Sequence, residues 1–273
     1  MIARLAAVFL VLAASVQSVA AQSLQSTLFD VLGMPQMVEI AREEGLATAE
    51  NLGTDVFPGR SDGEWQRKVS RIYQLNAMTD LVEANFTQAL SPEEATSLLQ
   101  FFTSARGESI VTLELSARRA LLDEEIEEAS KVAATQMAAE YGQHYQLVEE
   151  FIDANNLVDS NVAGALNASL AFYRGLADGG AYPAEMGERA MVAEVWSQEG
   201  EIRQNMTEWL YSYLLLAYEP LPTQDLQAYI DLSQTPAGAA LNRAMFAAFE
   251  PLFSETSYAL GRAAAEMMAS QEL

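Results

Sequence analysis

Apolar residues return every three or four positions along nearly the whole chain, and strict alternation of apolar and polar residues is essentially missing. Side chains three and four apart share one face of a helix, so this period predicts amphipathic helices and argues against a sheet architecture. The expected fold class is all-α, a multi-helix bundle. Leu24, Leu28, Val31 and Leu32 make one apolar stripe, and Met37, Val38, Ile40 and Ala41 make a second beyond the break at Gly33 and Pro35. Gly53, Pro58, Gly59 and Gly63 make 51–63 read as a loop. From Trp65 through Val69, Ile72, Leu75, Met78, Leu81, Val82 and Phe86 the spacing predicts a long helix with one buried face.

Local capping chemistry then divides the chain. In Leu90-Ser91-Pro92-Glu93-Glu94, Ser91 can cap, Pro92 suits the first helical position and Glu94 completes a capping box. Ser104 can cap the helix that follows, and Gly107 falls in its first turn, where a missing side chain permits close helix contact. The second half echoes this arrangement. Leu90 to Leu221, Gly107 to Gly238, Leu121 to Leu252 and Trp65 to Trp196 are all 131 positions, and Thr235-Pro236 is again a cap followed by proline. One ungapped interval linking four landmarks predicts two diverged copies of a helical module, placed at 22–142 and 143–273. The second copy departs at Pro222, which cannot cap as Ser91 can; Thr223 is expected to take over.

The phrase Leu90 to Glu94, followed by Phe101-Phe102-Thr103-Ser104-Ala105-Arg106-Gly107, resembles the signature of an exported bacterial family called domain of unknown function 2059. The close match covers about 30 residues in each copy. The resemblance implies an envelope location and a helical fold. It implies no activity and no catalytic residues, and the motif positions read as caps and packing positions.

The N-terminus reads as an address. Arg4, an apolar run from Leu5 to Ala14, and small residues at Val19 and Ala21 follow the plan of a secretory signal peptide, 1–21, with cleavage expected after Ala21. The apolar run is about half the roughly 20 residues that a membrane span needs, so no membrane anchor is expected. The chain has no cysteine, which excludes an acylated N-terminal cysteine, disulfides, thiolate metal sites and a cysteine nucleophile. The expected destination is the periplasm. The formal charge is -23, and removing the leader with its Arg4 makes it more negative still. Such a field repels phosphates, so no nucleic acid partner is expected.

Catalytic constellations are hard to assemble from these residues. His144 is the single histidine, and no Gly-x-Ser-x-Gly elbow accompanies it. Di-iron bundles need a Glu-x-x-His pair twice, and one histidine is too few for a zinc site by itself, so His144 reads as a helix-surface or capping residue. The acidic run Asp123 to Glu128 can be proposed for a hard cation, but it lacks ligand spacing and continues into Ala129-Ser130-Lys131; it reads as a solvated helix start. No cofactor and no metal is expected. The segment Trp209 to Tyr218 is apolar around nearly its whole circumference, as expected of a central core helix, or of a wall held for a ligand. Trp209, Tyr213 and Tyr218 are therefore the candidate ligand-binding residues. The expected function is a periplasmic binding or interaction protein, with a protein partner or an apolar small molecule as its ligand. The alternative is an envelope hydrolase using two carboxylates brought together by folding.

Overall fold

The computed structural model describes residues 24–57, 63–181 and 187–269; the expected leader lies outside them. Helices make up 88% and no strand occurs among the described residues, which makes the fold an all-α multi-helix bundle. The chain runs through α1 (24–31), α2 (Met34–Val56), α3 (Glu64–Ile72), α4 (Leu75–Gln88), α5 (Pro92–Phe102), α6 (Ala105–Ala120) and α7 (Glu124–Glu140). It continues through α8 (Gln143–Ala154), α9 (Leu157–Asp178), α10 (Glu188–Ser197), α11 (Glu199–Tyr218), α12 (Thr223–Ser233) and α13 (Pro236–Ala269).

Several helix starts follow their local chemistry. Ser91 accepts from the Glu94 amide, and the Glu94 carboxylate accepts from the Ser91 amide at 2.8 Å, a complete capping box. Ser104 caps α6 on the Gly107 amide, and Thr235 caps α13 on the Gly238 amide. Pro92 to Thr223 and Ala105 to Pro236, the starts of α5 and α12 and of α6 and α13, are both 131 positions. A Cβ on Gly107 would stand 2.3 Å from the Phe101 carbonyl oxygen, and one on Gly238 would stand 2.0 Å from that of Leu232. Each glycine thus lets a helix start against the end of the one before it. At α12 the cap is missing, because neither Pro222 nor Thr223 supplies a side-chain cap bond.

Tertiary contacts override the local reading in three places. Helix α2 continues to Val56, through part of the expected loop. The Trp65 indole lies against Gly53 and donates to the Ala49 carbonyl at 2.9 Å, so Gly53 is a helix position kept small for a ring. The single helix expected from Trp65 to Phe86 breaks at Tyr73, whose carbonyl accepts from Arg42 Nε at 2.8 Å and whose ring is buried. Where α6 and α7 are separated by a turn at Leu121 to Asp123, α13 passes straight through the corresponding region with Pro251 inside it.

Two apolar cores result. The larger gathers residues of α1 to α5 with α13 and part of α9; the second joins Ile110, Phe151, Leu214, Tyr218, Leu226 and Ile230 from α6, α8, α11 and α12. Both cores therefore draw on chain from either side of residue 142. Helix α13 packs on α3, α4 and α5, while α11 packs on α6 and α7. The closest crossing is between α9 and α13: a Cβ at Gly175 or Gly261 would lie 2.1 Å from the Tyr258 or Phe172 carbonyl oxygen.

Candidate functional site

Helix α11 is the central helix that its aromatic, apolar sequence predicts, packed by α6, α7, α8 and α9. Its three candidate residues face different surroundings. Trp209 is half-buried and stacks on Tyr213 with ring centres 5.1 Å apart and planes 19° apart. The Arg118 guanidinium lies 4.4 Å from the Trp209 ring centre, a cation–π contact, and Arg118 Nη2 also bonds Glu44 at 2.7 Å. The Tyr213 hydroxyl donates to the Glu114 carbonyl at 3.3 Å. Tyr218 is 0% exposed. Of the three, Trp209 and Tyr213 retain partial exposure, and Tyr218 belongs to the interior.

Tyr218 leads to a residue that the sequence reading passed over. Its hydroxyl donates to Glu114 Oε1 at 2.5 Å, and the Tyr229 hydroxyl faces the same carboxyl. Glu114 sits on α6, Tyr218 on α11 and Tyr229 on α12, so one half-buried carboxyl stands where three helices meet. Burial pushes the Glu114 carboxyl up to about 7, and the two tyrosine hydroxyls oppose that rise. Burial also drives both tyrosines well above their ordinary value, with the Glu114 charge adding to the rise. Glu44 is raised by burial as well, against the pull of Arg118. The available signal was positional: Glu114 lies four residues after Ile110 and three before Ala117, both buried, so a carboxylate occupies an inward-facing stripe.

His144 Nε2 stands 2.7 Å from the Tyr218 carbonyl, at the C-terminal end of α11, which fits the expected capping role. Three of the five acids of 123–128 are engaged locally. Asp123 caps α7 on the Glu125 and Ile126 amides, and Glu127 and Glu128 pair with Lys131.

A surface feature adjoins this interior knot. Tyr145 stacks on Tyr211 at 5.3 Å and touches Tyr141 at 5.6 Å, forming an aromatic row along α8 and α11. Tyr141 is 53% exposed and has a left-handed backbone, φ 48°. It is held there by its hydroxyl on Glu149 and by Gln146 on its carbonyl, both at 2.9 Å. An open hollow of about 570 Å³ beside it is lined by Gln146, Glu149, Glu150, Asp153, Ala154 and Gln234 as well as Tyr141, with no basic side chain. A second open hollow, about 420 Å³, lies between the starts of α8 and α12, where Arg106 pairs with Asp225 at 2.6 Å. The geometry can present an aromatic ring beside carboxylates at the surface and set the Glu114 carboxyl against tyrosine hydroxyls beneath it. The chain matches no family model, no curated protein and no solved structure.

Proposed function

We propose that the chain is an exported, non-enzymatic binding protein of the bacterial cell envelope that engages a protein partner through the aromatic and acidic face of α8. The observation that carries this reading is the exposed Tyr141, held in a strained conformation at the rim of a hollow with three carboxylates and no basic side chain. Aromatic faces and carboxylates without a basic neighbour in the hollow suit the cationic, amphipathic side chains of a protein segment. An apolar small molecule calls for an enclosed apolar pocket, and this hollow is open and polar-edged. The secretory leader read from 1–21 and the resemblance to domain of unknown function 2059 support the envelope location.

The duplication belongs to the same reading: two diverged copies of one module, fused in tandem. Support comes from α5 and α12, each 11 residues long, from the paired Ser104 and Thr235 caps, and from the matching contacts at Gly107 and Gly238.

The test is site-specific photo-crosslinking in the native host. A photoreactive residue at position 141 should yield a discrete protein adduct that Glu149→Gln with Asp153→Asn weakens and added salt suppresses, while the same probe at Val132 yields none. No adduct at 141, or equal labelling at 132, would remove this face from consideration. The hydrolase alternative, two carboxylates brought together by folding, has one member to draw on, the Glu114 carboxyl that burial raises in the direction a general acid requires. Purified mature protein that leaves peptidoglycan uncut ends that alternative; cleavage abolished by Glu114→Gln would replace the binding reading.

A further inference from the structure

The knot around Glu114 is an unusual way to hold a half-buried carboxyl against a fully buried tyrosine. Buried carboxylates are ordinarily matched by an arginine or lysine, because an uncompensated charge in the interior is costly. Around Glu114 the partners are neutral. Helix α11 gives the carboxyl the Tyr218 hydroxyl and gives the Glu114 main-chain carbonyl the Tyr213 hydroxyl, and α12 brings the Tyr229 hydroxyl to face the carboxyl. Helix α8 directs His144 at the Tyr218 carbonyl, and α5 brings the Phe101 and Phe102 rings against Tyr229. The nearest cation along α6, Arg118, is committed to Glu44 of α2 and to the Trp209 ring. Among the described residues no ion pair reaches the Glu114 carboxylate.

We propose that Glu114 is a proton-binding site that regulates the joint of α6 with α11 and α12. Protonated, the carboxyl is a neutral member of the tyrosine knot and the three helices stay clamped. Ionised, it is a half-buried charge with hydroxyl partners alone, and the joint opens more readily. The joint includes α11, the helix that carries Tyr211 of the surface aromatic row, so proton binding reaches the exposed face through the same element. The site goes beyond the partner reading and stands without it. The raised carboxyl agrees with the geometry and places the transition between the ordinary glutamate value and about 7.

Native-state hydrogen exchange of the mature protein, corrected for the intrinsic pH dependence of exchange, tests this. Amides of α11 and α12 should open roughly tenfold or more readily at pH 8 than at pH 5. Glu114→Gln should abolish that difference, and His144→Gln should keep it. An unchanged pH response in Glu114→Gln, or no response in the wild type, would overturn the proposal. Should Glu114→Gln fail to fold, infrared difference spectra of the wild type carry the test. A neutral-carboxyl stretch should disappear as the pH rises toward 8, and Tyr218→Phe, which removes a donor to the carboxylate, should move that loss to higher pH. A loss confined to the ordinary carboxylate range, or one that Tyr218→Phe leaves in place, would equally overturn it.

Discussion

At the scale of single residues, the sharpest constraints are positions where an added atom has nowhere to go. The Cβ of an alanine at Gly107 or Gly238 would meet main-chain atoms, and main chain cannot swing aside as a side-chain tip can. Gly107→Ala and Gly238→Ala are each expected to destabilise by about 1–3 kcal/mol, read by denaturant melts. Similar costs at both sites accord with two copies of one module; a silent Gly238→Ala would count against the common geometry. Trp65 and Trp196, matched by the interval of 131, instead have opposite fates. Trp65 is 2% exposed under Phe57, whereas Trp196 is 63% exposed. Matched spacing conveys the helix frame, and the environment of each ring depends on what folds over it.

Elements are stabilised by ends and by crossings, and the two hairpins differ in their ends. Ser91→Ala should remove the capping box of α5 and cost about 1 kcal/mol. Pro222→Ala removes no cap bond from α12 and should cost less than about 0.5 kcal/mol. Equal losses from the two substitutions would contradict this account of the helix starts. The α9 and α13 crossing is the other constraint at this scale. Gly175 and Gly261 let two backbones meet, and alanine at either position must force the helices apart. The expected loss is about 1–3 kcal/mol, seen as a lower denaturation midpoint, with faster hydrogen exchange confined to α9 and α13.

For the whole molecule, charge sets the pH and salt response. A carboxyl whose folded value is raised binds more protons folded than unfolded, so its contribution is fully present below about 4.5 and is lost as the pH climbs through about 7. Glu44, also raised by burial, acts in the same direction. Glu94 is lowered by its capping bonds to Ser91 and Glu266 by its bond to Lys68, so their contributions are present above the ordinary glutamate value and fall away in acid. Stability should therefore peak near pH 5 and decline toward pH 8 by roughly 1–3 kcal/mol, a decline that Glu114→Gln flattens. A formal charge of -23 over 273 residues also repels itself, so raising salt from 0.02 M to 0.5 M should raise the melting temperature. A flat or falling midpoint would show that the local ion pairs, such as Arg118 with Glu44, dominate the field.

Local periodicity and short-range chemistry determined the helical class, the starts of α5, α6, α7 and α13 and the central place of α11, because caps and apolar stripes act over three or four residues. Tertiary structure alone decided the rest. Gly53 is helical because Trp65 packs on it, and the chain breaks at Tyr73, where Arg42 of another helix takes the freed carbonyl. The Glu114 knot joins residues 104 positions apart, a separation at which no spacing rule connects a glutamate to a tyrosine. The packing of α6 against α11 half-buries that carboxyl, and desolvation is what raises it above an ordinary glutamate.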